Sequence, residues 1–198
     1  MTKIIIATSN KGKLKEINEL LSHKDVEVVS MKDAGIDIDI EENGTTFEEN
    51  AEIKAKTVCE MTNHITIADD SGLEIDYFGG EPGIYSARYL GYDTPYAEKN
   101  AIILERLKDA KESERSARFV CSASAAFPNG KVVTVKETME GRIAYEISGN
   151  GGFGYDPIFF YPPMNQTVAE MGSEEKNKIS HRGKAFKALI SLIDGDLQ

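Results

Sequence analysis

Residues 3–21 read KIIIATSNKGKLKEINELL, a short apolar run followed by a polar loop and an amphipathic stretch. The three consecutive isoleucines predict a strand over Lys3–Ala7 that is buried on both faces. Apolar residues then recur on one stripe from Leu14 to Leu21, which predicts a helix. A strand, a polar glycine-containing loop and a helix form the layout in which α/β proteins bind ligands at the carboxyl end of a strand.

The rest of the chain continues this mixture. Capping patterns predict a helix from Thr46, with Thr45 as a competing start, to about Thr62, and another helix at Thr94-Pro95. Further helical and period-two patterns predict a last helix opening at residues 180–186, a strand at 158–161 and successive antiparallel strands over 116–127, 131–138 and 142–147, with a turn near 140–141. We expect one domain over residues 1–198: an α/β fold with a mixed central sheet flanked by helices, in two lobes with an active-site cleft between them.

Composition limits the class of protein. The chain has 198 residues, 40% of them hydrophobic and 28% charged, and a formal net charge of −10. Such a charge argues against a duplex nucleic-acid binder, which needs a broad basic surface. No apolar run approaches the length of a membrane span, and the N-terminus lacks a signal-peptide pattern, so we expect a cytoplasmic protein without a membrane partner. The two cysteines, Cys59 and Cys121, are expected to be buried thiols.

Basic residues form two clusters, each near the predicted start of a helix. The first group is Lys11, Lys13 and Lys15, and the second is Lys176, Lys178, Arg182, Lys184 and Lys187. Free amides at the start of a helix together with ammonium groups bind anions, most often phosphate. Solvated charge on helix faces is the ordinary alternative.

Two further features suggest chemistry. A glycine-rich loop over residues 148–157 carries Phe153 and Tyr155, which are suited either to plugging a core or to stacking on a nucleobase. Acidic pairs lie before the second helix, at 41–42, and after the apolar run Ile65–Ala68, at 69–70. Magnesium prefers one or two such carboxylates, with the remaining ligands supplied by water and substrate phosphates.

Six segments, in order along the chain, resemble the signatures of the inosine triphosphate pyrophosphatase family. They are TSNKGKLKEI, TFEENAEIKA, ADDSGLEID, PGIYSARY, GGFGYDPIF and SHRGKAF. The resemblance implies hydrolysis of dITP, ITP and XTP to the monophosphate and pyrophosphate, with Mg²⁺ as cofactor and a homodimer as the usual assembly. It also implies a house-cleaning role, the removal of deaminated purines from the nucleotide pool.

The resemblance further implies which residues form the site. The substrate-binding residues would be Thr8, Ser9, Asn10, Lys11, Gly12, Lys13, Ser71, Phe153, Gly154, Tyr155, Asp156, Lys176, His181 and Arg182, the last two near the base. Lys54 and Asp70 would be catalytic, and Glu41 and Asp70 would hold the metal, with Glu42 as an adjacent competitor.

Several alternatives stay open on sequence alone. Asp70 either accepts a proton from the attacking water or orients a metal-bound water, whereas Asp69, by strand alternation, should point elsewhere as a supporting hydrogen-bond acceptor. A septum-formation-inhibitor-like nucleotide pyrophosphatase is a second reading, although such proteins begin with a Ser-Pro-Arg type loop. A non-catalytic nucleotide-binding module is a third, and would be expected to lack a metal carboxylate or a phosphate lysine.

Overall fold

In a computed structural model, which describes residues 2–8, 10–22 and 24–197, the chain forms seven strands and five α-helices. The strands are β1 (Thr2–Ile6), β2 (Val26–Ser30), β3 (Ile65–Ile75), β4 (Ser116–Ala126), β5 (Val132–Ile143), β6 (Phe159–Tyr161) and β7 (Gln166–Thr167). The helices are α1 (Lys11–Leu21), α2 (Phe47–Thr62), α3 (Tyr96–Arg106), α4 (Ser173–Ile179) and α5 (His181–Ile193).

All seven strands belong to one sheet, in the order β2-β1-β3-β4-β5-β6-β7. Strand β1 is parallel to both β2 and β3, whereas β6 is antiparallel to β5 and to β7. The prediction of an α/β fold with a mixed sheet is therefore confirmed. The predicted cleft between two lobes stays a prediction.

The chain divides into two compact units. The first comprises Met1–Asp70, Cys121–Glu137 and Arg182–Gln198, and the second comprises Ser71–Val120 and Thr138–His181.

The first unit has apolar clusters on both faces of β1. Ile4 and Ile6 pack in a cluster with α1 and α5, whereas Ile5 packs in another with residues of α2. These contacts confirm that the isoleucine run is buried on both sides.

The second unit has its own core. It is built from the second half of β3, α3, β5 and β6, and Phe119 stacks on Phe159 at 4.3 Å between ring centroids. The guanidinium of Arg115 is buried in this unit and donates to the carbonyl oxygens of Leu107, Ile143 and Ala144 at 2.6–2.9 Å. Because these hydrogen bonds satisfy three buried acceptors, Arg115 ties α3 to the end of β5.

Local signals located some helix starts and missed others. Thr46 caps α2 by accepting a hydrogen bond from the Glu49 amide at 3.1 Å, as predicted. Thr94 is not the cap of α3: Pro95 occupies that position, and the Thr94 hydroxyl donates instead to the Leu90 carbonyl at 2.7 Å. The short helix α4 was not predicted.

Two strand predictions were wrong in their bounds. Residues 131–138 and 142–147 do not form separate strands, because β5 runs unbroken from Val132 through Gly141 to Ile143. A Cβ at Gly141 would lie 2.5 Å from the Phe160 carbonyl oxygen, so Gly141 serves close strand approach and not a turn. Strand β3 extends beyond the apolar run Ile65–Ala68 and continues to Ile75, which places the acidic pair within the strand.

The two cysteines are free and buried, as predicted. Within the described residues, no helix combines the length and apolar character needed to cross a membrane.

Candidate active site

The acidic pair in β3 separates onto different partners. Asp70 Oδ1 lies 3.6 Å from Lys54 Nζ, and Asp70 Oδ2 accepts a hydrogen bond from Asn50 Nδ2 at 3.2 Å. Asn50 and Lys54 are four residues apart on α2, so both side chains leave the same face of the helix. This pair of contacts fixes Asp70 against α2.

A second carboxylate joins Asp70 at the same ammonium group. Glu42 Oε2 lies 3.2 Å from Lys54 Nζ, whereas the adjacent Glu41 is exposed. The sequence left Glu41 and Glu42 in competition for the metal. The structure brings Glu42 to the cation that Asp70 also contacts.

Asn50 is a site residue that the sequence analysis did not single out. Its side chain is fully buried, and its Oδ1 accepts from the Gly44 amide at 2.9 Å while its Nδ2 bonds Asp70. A Cβ at Gly44 would lie 2.7 Å from Asn50 Oδ1, so glycine permits this approach. Asn50 therefore holds the loop that carries Glu42 beside Asp70. Its i, i+4 spacing to Lys54 was the available signal.

Asp69 lies in a separate buried ion network. Its Oδ2 is 2.9 Å from Lys13 Nζ and 3.4 Å from Arg182 Nε, and the thiol of Cys121 approaches it at 3.9 Å. Arg182 also forms an ion pair with Glu16 of α1. Asp69 thus joins α1, β3 and α5, which is the supporting role that strand alternation predicted.

These contacts shift the ionisation of the two neighbours in opposite directions. Burial by itself raises the pKa of Asp69, but the charges of Lys13 and Arg182 outweigh it and lower that pKa well below its usual range. Burial raises the pKa of Asp70; the charges of Lys54 and Lys13 offset only part of this effect, and the charge of Glu42 adds to it. Asp69 is therefore ionised at neutral pH, whereas Asp70 takes up a proton more readily than an exposed aspartate does.

Lys54 responds to both carboxylates. Burial lowers its pKa, but the charges of Asp70 and Glu42 dominate and raise it. The ammonium group is therefore charged throughout the neutral pH range.

The loop before α1 caps its own helix. Asn10 Oδ1 accepts from the amides of Gly12 and Lys13 at 2.9 and 3.1 Å, and the Asn10 amide donates to Thr8 Oγ1 at 3.2 Å. The expectation that helix amides here are free for an anion is wrong for Gly12 and Lys13. Lys11 is exposed at the start of α1, and Ser9 lies outside the described residues.

In the second unit, one buried carboxylate holds the glycine-rich loop of residues 148–157, which we call the aromatic loop, in place. Asp156 Oδ2 accepts from the Phe153 amide at 2.8 Å and from Lys176 Nζ at 2.9 Å. The same Nζ lies 4.7 Å from the centroid of the half-buried Phe153 ring. Lys176 sits in α4 with Lys178, so the second basic group does not form one cluster at the start of α5.

Phe153 and Tyr155 have different environments. Tyr155 is buried, its hydroxyl donates to the Ser86 carbonyl at 2.7 Å, and its ring meets that of Tyr96 edge-on at 5.2 Å. Burial also raises the pKa of Tyr155, so its hydroxyl stays a neutral donor. The buried ring of Tyr155 therefore fills the core, and its assignment to the substrate stays a prediction. His181 is buried in the same unit, stacked on Phe119 at 4.8 Å, and Ser71 is half-buried.

The number of carboxylates at this site indicates which metal ion it could hold. Within the part of the chain that the structure describes, no group of three or more His, Cys, Asp and Glu side chains could hold a metal ion. Two carboxylates at one place, Glu42 and Asp70, match the one or two protein ligands that magnesium usually takes. The donor set therefore fits magnesium better than zinc, which requires three or four protein ligands.

Comparison with known proteins identifies the family. The model of the Ham1 family matches residues 4–192. The chain belongs to the Ham1 family. This membership confirms the resemblance that the six signature segments indicated.

Ham1 relatives match the chain over nearly its whole length. The dITP/XTP pyrophosphatase of Exiguobacterium sibiricum is 49% identical over 191 residues, which is 96% of each chain. The dITP/XTP pyrophosphatase of Bacillus licheniformis is 46% identical and covers 98% of this chain and 99% of its own. The solved Ham1 protein of Coxiella burnetii superposes with a TM-score of 0.89 at 40% identity, over 98% of this chain and all of that one.

Proposed function

We propose that this chain hydrolyses non-standard purine nucleoside triphosphates, namely dITP, ITP and XTP, to the nucleoside monophosphate and pyrophosphate. Full-length similarity to proteins named dITP/XTP pyrophosphatase carries the proposal. The geometry of Asp70, Lys54 and Glu42 supports it, because a nucleotide anhydride needs a base, a cation and a metal at one place. The cellular role is removal of deaminated purines from the nucleotide pool.

In the reaction, water attacks the α-phosphorus, a new P–O bond forms, and the bond to the bridging oxygen of pyrophosphate breaks. Asp70 either accepts the proton of the attacking water or orients that water for attack. Lys54 and Lys13 bind the triphosphate and screen the negative charge that develops on the leaving pyrophosphate. Such phosphoryl chemistry depends mainly on positioning and charge neutralisation.

We assign Glu42 and Asp70 as the ligands of Mg²⁺, in preference to Glu41. Asn50 would hold both ligands through the Gly44 amide and Asp70 Oδ2. Magnesium, when bound, supplies positive charge to the phosphate oxygens. The shared ammonium of Lys54 keeps the two carboxylates together before the metal binds.

We assign binding of the nucleobase to residues of the glycine-rich loop, of α4 and of α5. Phe153 offers a ring face for stacking, and Lys176 and Asp156 hold the loop in place. Hypoxanthine and xanthine carry a 6-oxo group where adenine has an amine, so hydrogen-bond donors at that position favour them. We assign that role to His181 and Arg182, and substrate contact to Ser71 and the loop from Thr8 to Lys13.

Three further assignments complete the proposal. The whole chain, through both compact units, acts as one catalytic domain, in agreement with the span of the family match. It works as a homodimer, which size-exclusion chromatography with light scattering tests. We also propose that it acts in the cytoplasm.

The decisive experiment measures pyrophosphate release with Mg²⁺ from ITP, XTP, dITP, GTP, ATP and dTTP. We expect the first three to be preferred strongly. A preference for pyrimidine nucleotides would favour the septum-formation-inhibitor-like reading, and binding without release would favour a regulatory module. D70N is the matched control for contaminating phosphatases, since it should remove the release.

A further inference from the structure

Asn100 of α3 is a buried polar residue whose side-chain amide has a hydrogen-bond partner, within the described residues, at one of its two polar ends. Its side chain is 2% exposed, and its Nδ2 donates to the Gly154 carbonyl oxygen at 3.1 Å. No described protein group donates to its Oδ1. The amide orientation is fixed by Gly154, because the flipped amide would place two oxygens against each other.

The packing of α3 does not account for an amide at this position. The neighbouring Ile103 and Leu107 are fully buried in the apolar core of the second unit. A buried amide with a hydrogen-bond partner at only one of its two polar ends makes the fold less stable than an apolar side chain of similar size would. The contact with Gly154 is what the amide provides.

Gly154 occupies a critical place in the aromatic loop. Its φ of +68° is left-handed, and a Cβ there would lie 3.6 Å from the Tyr96 ring. On one side Asp156 holds the Phe153 amide, and on the other Ser86 holds the Tyr155 hydroxyl. Asn100 fixes the carbonyl group between these two anchored residues.

We propose that Asn100 is a positioning residue for the nucleobase, acting through the Gly154 carbonyl on the ring of Phe153. The inference rests on the proposed function, since it takes Phe153 as the surface that stacks on the base. Asn100 makes no described contact with Lys13, Lys54 or Asp70. Its loss should therefore weaken recognition of the base and leave recognition of the phosphates intact.

The test compares N100D and N100L with the wild type, using one probe that has a base and one that has none. The KM for ITP should rise about tenfold, the effect of one buried carbonyl left unpaired. The inhibition constant of inorganic tripolyphosphate, which has no base, should stay within about twofold of the wild-type value. The matched control is I103A, a buried substitution on the same helix, which should lower the melting temperature while leaving the KM for ITP unchanged.

Two outcomes overturn the inference. In the first, the KM for ITP is unchanged in N100D and also in N100L. In the second, the KM for ITP and the inhibition constant of tripolyphosphate rise together, as a general loosening of the fold would cause. Calorimetric binding of IMP and of tripolyphosphate to the wild type separates this failure from that of the proposed function. If the wild type binds tripolyphosphate but neither binds IMP nor cleaves ITP, the proposed function fails first, and the inference fails with it.

Discussion

Asp69 and Asp70 are adjacent in β3, yet they contact different cations: Asp69 lies 2.9 Å from Lys13 Nζ and Asp70 lies 3.6 Å from Lys54 Nζ. Neighbouring residues of a strand point to opposite faces, so one acidic pair serves two sets of partners. Asp69 lies beside two cations, Lys13 and Arg182, whereas Asp70 and Glu42 both lie beside the ammonium group of Lys54. If Asp70 is catalytic, as proposed, the pair separates a structural from a catalytic function, and substitution of each residue alone tests the separation.

D70N should reduce kcat for ITP by about a thousandfold, within the range of general acid–base contributions. The fold should persist, because burial disfavours the charged form of Asp70 and the amide carries no charge. At neutral pH the melting temperature should equal or exceed that of the wild type. Steady-state pyrophosphate release and calorimetry check the two parts. Near-normal turnover in D70N would refute the catalytic assignment.

D69N should behave in the opposite way and destabilise the protein. Removing one partner of a buried ion network leaves Lys13 and Arg182 less compensated, at a cost of about 3–5 kcal/mol. For a chain of this length that loss lowers the melting temperature by roughly 10 °C. The stabilising effect of a carboxylate with a lowered pKa is complete above about pH 4 and is lost as pH falls below it.

Urea unfolding at a series of pH values checks this expectation. The difference in free energy of unfolding between wild type and D69N should be largest near neutrality and shrink in acid. A constant difference across pH 3–7 would mean that the charge of Asp69 is not what stabilises the fold.

E42Q should raise the Mg²⁺ concentration for half-maximal activity by about tenfold or more, whereas E41Q should leave it unchanged. The reason is that Glu42 contacts the ammonium shared with Asp70, while Glu41 is exposed. Magnesium titrations of activity at saturating ITP provide the measurement. The two variants differ by one position and carry the same charge change, so each controls for the other. The reverse pattern would restore Glu41 as the ligand.

The sequence predicted those features that depend on local periodicity or on contiguous motifs. Strand alternation separated Asp69 from Asp70, and the capping pattern located Thr46, because both rules need only a few neighbouring residues. The contact between Arg182 and Glu16 joins residues 166 positions apart, and no local pattern encodes it. The same holds for Gly141, whose pattern indicated a turn until the close approach of Phe160 showed that a strand continues there.

R182M should have two separable effects. It leaves Glu16 and Asp69 without their shared cation, which should lower the melting temperature by roughly 10 °C. If Arg182 also donates to the base, as proposed, the ratio of kcat/KM for ITP over ATP should fall at a temperature where the variant is folded. An unchanged ratio would limit Arg182 to its structural role. E16Q is the control, since it removes one ion pair and leaves the guanidinium in place.

F153A and Y155F should distinguish a base platform from a core plug. Phe153 is half-buried beside Lys176, so its removal should raise the KM for ITP about tenfold, as loss of one base–aromatic stack does, with little change in melting temperature. Tyr155 is buried and bonds the Ser86 carbonyl, so Y155F should cost about 1 kcal/mol of stability, or roughly 3 °C, and leave KM unchanged. Kinetics with ITP and thermal melts of both variants supply the comparison. A larger KM effect from Y155F than from F153A would transfer the stacking role to Tyr155, and equal effects would show that the loop acts only as a unit.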